Sequence, residues 1–383
     1  MKYLSLIIVA ILSGCASEMP TPVAPEFGWR SAGLVLPDAY STGGLHKMVN
    51  IGNDIFVMDA YTPKVKDQWN PPSRTNHWRI WKGRVGSMNW DTLPVPNGQC
   101  PKEWVVANGK LYVGTRYDGD VWEFDPKTNE WAKIPLPEKP GLPDSLYDVR
   151  SMTTYKGELV VGIDVNATSR HINWMGGIVD KVGRSIPGVN GVRPLNDMLE
   201  FGDYLYGIDA QIGIYRYMAG AAAWESLPSA RGRAKSSQNE DVSALGVHGG
   251  HLYVGYANFE DGLFRWNGDG TWRNMTPRSD SLKYTEAPRD IRVITSYGGD
   301  LFMAGSASSS VRRYVPQDTN VSRYGDWRLV DSGWCRYDSY GCGYDVRGLI
   351  GIGDTLYATA WGFVAKVPIS ELKAMEKGVY KWF

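Results

Sequence analysis

Short runs of Val, Tyr, Trp, Phe and Leu, each bounded by Gly, Asn or Asp, recur along most of this chain. The pattern is plainest from Val105 to Trp131, VVANGKLYVGTRYDGDVWEFDPKTNEW. Apolar runs of this length with turn residues at both ends predict four short antiparallel strands joined by hairpins. One such sheet cannot bury both of its faces. The chain answers by repeating it.

Each repeat is anchored by a Gly two or three residues before a Leu or Ile that opens an apolar triplet. The anchors are Ile55, Leu111, Leu159, Leu205, Leu252, Leu301 and Leu356, spaced 46 to 56 residues apart. Four strands in a period of roughly 40–50 residues point to propeller blades. Seven anchors predict an all-β, seven-bladed β-propeller of four-stranded antiparallel blades over residues 27–368. Third strands are expected at Trp78–Trp81, Val121–Phe124, Ile214–Tyr217, Leu263–Trp266, Val311–Tyr314 and Phe363–Val367. Fourth strands are expected near Trp90, Trp131, Trp224, Trp272 and Trp327. In the last repeat Pro368 follows Val367 and leaves no room for one. Phe27–Leu36, FGWRSAGLVL, places Trp29 in the Trp position and is expected to supply the missing strand. An open ring would otherwise leave an unpaired sheet edge. Residues 369–383 read as a short helical tail, with Leu372, Met375 and Val379 packing beneath the ring.

DGDVWEFDPKTNEW, with the Pro-rich connection after it, resembles the third and fourth strands of kelch-type propellers. The resemblance spreads over about 330 residues and matches well only around Leu111. The kelch double glycine is here a single Gly114, Gly162 or Gly255. A propeller implies no particular chemistry, so function must be argued from sites.

The first fourteen residues change the picture. Lys2 precedes an apolar run from Leu4 to Leu12, a secretory signal too short to span a bilayer. It ends in Leu12-Ser13-Gly14-Cys15, which resembles the lipobox of bacterial lipoproteins. That resemblance implies cleavage before Cys15 and its acylation by palmitate-type chains. Ala16 in place of Asp resembles the outer-membrane pattern, and residues 15–26 become a Pro-rich tether. Two or more acyl chains give stable anchoring where one gives only marginal binding. The 41 basic and 41 acidic residues cancel, which argues against a nucleic-acid partner. An export compartment permits disulfides, and Cys335 and Cys342 in WCRYDSYGCGY are expected to pair. Cys100 is then the odd thiol, expected to be buried at the start of the second blade.

Candidate chemistry lies ahead of the anchors. Eleven residues upstream stand Asp148, Asp241, Asp290 and Asp345. Nine upstream stand Arg150, Arg292 and Arg347, with His46, Lys102, Asn196 and Ser243 in the other repeats. These residues are expected to begin the innermost strands at one channel mouth. Neighbouring Asp and Arg would cross-link the ring there, and the arginines could also fork onto a carboxylate ligand. The long loops on the same side carry Trp69, Trp174, Tyr284, Trp334, Tyr337 and Tyr340, a composition suited to recognition. His248 and His251 flank a tight turn and do not make a metal site by themselves. No P-loop, GxSxG or HExxH motif occurs, and no cofactor is implied. The reading is an envelope platform that binds a protein or glycan. The alternative is a hydrolase or lyase acting on an anionic polysaccharide.

Overall fold

The computed structural model describes residues 30–35, 45–61, 77–87, 89–96, 100–116, 119–135, 147–165, 178–180, 185–186, 195–209, 213–230, 242–257, 262–275, 290–306, 311–314, 327–331, 346–360 and 363–376. The strands among them pair into four-stranded antiparallel sheets. The first sheet runs β2 (Leu45–Ile51), β3 (Asp54–Tyr61), β4 (His77–Arg84), β5 (Trp90–Leu93). The second runs β6 (Cys100–Ala107), β7 (Lys110–Arg116), β8 (Val121–Asp125), β9 (Glu130–Ile134). The third holds β10 (Tyr147–Tyr155), β11 (Glu158–Val165), β12 (Ile178–Asp180), β13 (Ser185–Ile186). The fourth holds β14 (Asp197–Phe201), β15 (Tyr204–Asp209), β16 (Gly213–Met218), β17 (Glu225–Ser226).

The fifth sheet is β18 (Val242–His248), β19 (His251–Tyr256), β20 (Leu263–Trp266), β21 (Trp272–Asn274). The sixth is β22 (Asp290–Tyr297), β23 (Asp300–Ser306), β24 (Val311–Tyr314), β25 (Trp327–Asp331). Those six sheets are each one continuous stretch of chain. The remaining sheet joins both ends: β26 (Gly348–Ile352), β27 (Thr355–Ala360) and β28 (Phe363–Pro368) are completed by β1 (Arg30–Val35). Arg30 lies opposite Lys366, Ser31 opposite Ala365 and Val35 opposite Phe363. Helix α1 (Ile369–Glu376) follows at once.

Local chemistry sets the hairpins. Between β6 and β7, Asn108 and Gly109 both take positive φ, at 51° and 72°. That is the turn whose twist matches the right-handed twist of flanking strands, and Asn-Gly is its preferred sequence. The sheets then stack face to face through shared apolar clusters. Phe56, Met58, Ile80 and Leu93 of the first sheet pack with Trp104, Leu111, Val113 and Phe124 of the second. Ala32 and Leu34 of β1 pack with Leu45, Met48, Ile55 and Val57 of the first sheet, alongside Tyr357 and Val364. The same cluster type recurs at each other junction between successive sheets.

The outer strands add a hydrogen bond to this packing. The Trp90 indole N–H donates to Ala32 O at 2.8 Å, and the Trp272 indole N–H donates to Pro228 O at 2.9 Å. In both cases the donor reaches the preceding sheet. The single glycines of the second strands also have a structural role. A Cβ on Gly114 would fall 2.3 Å from Val149 Cγ1, and one on Gly255 2.6 Å from Ile291 Cγ2. The next sheet's first strand therefore lies directly on bare backbone.

Candidate functional site

The first strands β2, β6, β10, β14, β18, β22 and β26 touch one another in succession, and β26 touches β2. All of them begin at the end where the inter-sheet connections arrive. The connections from second to third strands leave from that same end, because adjacent strands are antiparallel. This end is the loop face. The tight hairpins between first and second strands mark the opposite, hairpin-turn face.

Near the loop face β2, β6, β10, β18 and β22 each carry a register shift. Val149 lies opposite Ile163 and Ser151 opposite Gly162, so Arg150 is an extra residue. Lys102, Ser243 and Arg292 occupy the same extra position in β6, β18 and β22. In the last sheet the Arg347 N–H donates to Thr359 O, while Gly348 lies opposite Thr359. These are β-bulges, in which two residues face one and the alternation of sides is reset. Val149 and Met152 both meet Gly114, although strict alternation would put residues three apart on opposite faces. The two intervening residues therefore both face the following sheet.

That placement builds a relay around the inner strands. Lys47 Nζ of the first sheet donates to Glu103 Oε2 of the second at 2.5 Å. Lys102 Nζ of the second lies 3.4 Å from Asp148 Oδ2 of the third. Ser151 Oγ of the third donates to Leu195 O at 2.8 Å, ahead of the fourth sheet's first strand. Asp197 of the fourth accepts from Leu245 N–H of the fifth at 3.4 Å, and from Met198 N–H at 3.0 Å. Ser243 Oγ of the fifth donates to Ile291 O of the sixth at 2.5 Å.

Lys47, Glu103 and Asp197 form the electrostatic centre of this relay. All three are half-buried, and the Lys47 side chain keeps 45% of its surface open to solvent. Burial works against the Lys47 ammonium, but the fields of Glu103 and Asp197 and the Glu103 hydrogen bond outweigh it and raise its pKa. Burial also raises Glu103 and Asp197 above the ordinary carboxylate range, and in each Lys47 offsets only part of that rise. The result is one ammonium and two carboxylates from three sheets, half-buried at the loop-face ends of the inner strands. Such a mouth can take polar and charged groups from a ligand, with its own charges held in place by backbone and neighbours.

No family model and no curated protein sequence matches the chain. Solved structures do. Virginiamycin B lyase from Staphylococcus aureus is similar with a TM-score of 0.58 and 11% identity, covering 90% of this chain and 99% of that one. YCF48 bound to D1 peptide gives a TM-score of 0.55 at 12% identity, covering 91% and 97%. The WD40 propeller domain of Doa1 gives 0.53 at 10% identity, covering 89% and 96%. The chain is a β-propeller. At these identities the likeness carries the fold alone.

On this propeller, Arg150 and Arg347 are half-buried and Arg292 is exposed, and each of the three is engaged with its surroundings. All three lie at the loop-face end of their first strands. Asp148 is fully buried and takes the cross-linking role expected of the acids, with Lys102 as its partner. Asp290 opens β22 opposite Ser306. Cys100 opens β6 opposite Arg116, and its side chain lies outside the described residues. Cys15, Trp29, Trp69, Trp174, Asp241, Tyr284, Trp334, Cys335, Tyr337, Tyr340, Cys342 and Asp345 also lie outside them.

His248 Nδ1 sits 2.9 Å from Ser296 Oγ beside its turn, and burial lowers its pKa. Among the described residues no group of His, Cys, Asp and Glu could hold a metal ion. Lys47, Glu103 and Asp197 were missed by a reading that stopped at positions nine and eleven upstream of the anchors. All three stand eight upstream, in three repeats, and that shared register was the available signal.

Proposed function

We propose that this chain is a seven-bladed propeller lipoprotein, acylated at Cys15, held at the outer membrane and binding an envelope partner through its loop face. Counting the sheet made from both termini as a blade gives seven. The apolar cluster around Ala32 and Leu34 and the Trp90–Ala32 hydrogen bond support its place between the sixth sheet and the first. One observation carries the binding reading: Lys47 pairs with Glu103 and feels the charge of Asp197, so that three half-buried charged side chains from three sheets act on one another at the loop-face ends of the inner strands. Arg150, Arg292 and Arg347 add donors around that mouth. Trp69, Trp174, Tyr284, Trp334, Tyr337 and Tyr340 supply aromatic surface on connections that leave or reach the same strand ends, and a Cys335–Cys342 bridge would restrain one of them. The partner is an envelope protein or a glycan.

The test places a photoreactive phenylalanine at Arg292 or, as a control, at exposed Lys127 on the hairpin-turn face, in the full lipoprotein within its own envelope. A discrete adduct is expected from position 292 and not from 127. Equal adducts from both positions, or none from 292, defeat the reading. Release of reducing ends from a polysaccharide, abolished by Arg292→Ala, would replace the platform by a glycan-active enzyme.

A further inference from the structure

The strand directions settle which way a tethered ring points. β26 begins at the loop face, so β27 begins at the hairpin-turn face, β28 at the loop face and β1 at the hairpin-turn face again. The chain N-terminal to Arg30 therefore enters the ring from the hairpin-turn face. The other terminus leaves there too. The Ile369 N–H at the start of α1 donates to Asp354 O at 2.8 Å, and Ser370 Oγ donates to Asp354 Oδ2 at 2.6 Å. Asp354 sits in the hairpin turn between β26 and β27, and Leu372 of the helix is buried against that sheet's core.

We propose that the hairpin-turn face is the membrane-facing side of the ring. Its partner is the bilayer surface, and the ligand-binding mouth opens away from the lipid. The inference rests on the reading that Cys15 is acylated. Fourteen residues, Ala16 to Trp29, then separate lipid from strand. A Pro-rich tether of that length reaches about 43 Å, at ~3.1 Å per residue. Turning the loop face to the membrane would make the tether run back along β1, six residues at ~3.4 Å each, before reaching any lipid. That return consumes about half of the tether's reach. The connection thus biases the ring toward one orientation without any specific lipid site.

The experiment uses the full lipoprotein in vesicles of phosphatidylethanolamine and phosphatidylglycerol, with a photoreactive phenylalanine at Lys127 or, separately, at Arg292. The mass of the N-terminal peptide is measured first. An unmodified Cys15 removes the anchor itself, a failure distinct from that of the orientation. With Cys15 acylated, lipid adducts at 127 are expected to exceed those at 292 several-fold. Equal yields, an excess at 292, or no lipid adduct at either position overturn the orientation.

Discussion

Gly114→Ala probes the closeness of approach on which the inter-sheet packing depends. The new Cβ would lie 2.3 Å from Val149 Cγ1, 2.6 Å from Val149 Cβ and 2.8 Å from Met152 Sδ. Carbon pairs rest at roughly 3.5–4.0 Å, so the second and third sheets must separate by more than about 1 Å locally. Met152 can yield, because its unbranched chain has other rotamers. Val149 cannot yield easily, being fully buried and stiff at χ1. Overpacking of this kind costs ~1–3 kcal/mol, and the clash with a branched side chain places it in the upper half of that range. Gly114 has no positive φ, so removing glycine's unfolded-state entropy returns ~0.4–1 kcal/mol. The net loss is about 1–2.6 kcal/mol. Urea unfolding followed by tryptophan fluorescence should show a lower midpoint with an unchanged slope. Adding Val149→Ala should make the double variant more stable than the two single losses predict, by at least ~1 kcal/mol of coupling. Gly109→Ala, at a φ of 72° with open space around it, should lose stability through backbone strain and gain no such coupling. A Gly114→Ala protein as stable as the parent, or one that shows no coupling to Val149, refutes the close approach.

Three further outcomes follow from the inner and outer strands. The folded state holds the Glu103 proton more tightly than the unfolded chain does, because burial raises its pKa. The unfolded state therefore binds fewer protons as pH climbs above the ordinary carboxylate value of ~4.3, and stability falls with rising pH in that window. Glu103→Gln should flatten this decline when urea midpoints at pH 4 and pH 7 are compared, and an equal decline in both proteins counts against the assignment. Trp90→Phe removes the indole donor to Ala32 O and should cost about 1 kcal/mol, read as a lower midpoint, with hydrogen exchange accelerating first in β1. Deleting residues 27–36 while keeping 1–26 uncovers Leu45, Ile55, Tyr357 and Val364 and leaves β28 an open edge. The cooperative melting transition should be lost, and a deletion that melts like the intact chain contradicts a ring closed by its N-terminal strand.

Much of this architecture was legible because it rests on local rules. The Gly-anchored hairpins appear where Gly and Asn permit a tight turn, and the third strands appear within a few residues of their expected limits. The outer strand opened by Trp131 was visible for the same reason. Phe27–Leu36 could be matched to β1 because Pro368 leaves β28 without a fourth partner in its own repeat. The third sheet was harder to read. It lacks the Trp, and its outer strands β12 and β13 hold only three and two residues. So short a run gives no periodicity to detect. The purpose of Gly114 and Gly255 was also hidden, since it depends on side chains from the next repeat.

The site was less legible than the scaffold, and the β-bulge explains why. Period-two alternation carries Asp148 and Arg150 to one side of β10 and Val149 to the other, which agrees with the buried Val149. Continued one step further, it sends Ser151 to the wrong side. The extra residue resets the alternation, so that Ser151 bonds Leu195 O across the junction. In β6 the residue after the extra position, Glu103, instead reaches back to Lys47 of the preceding sheet. A bulge has no fixed residue type: Lys102, Arg150, Ser243 and Arg292 occupy the extra position alike. What marks it is recurrence at one distance from the anchors. Because the inner relay crosses from sheet to sheet through residues at or next to that position, a substitution there changes both the charge of the mouth and the junction that supports it. Binding and stability should therefore separate at Arg292, which is exposed, and move together at Glu103, which bridges two sheets.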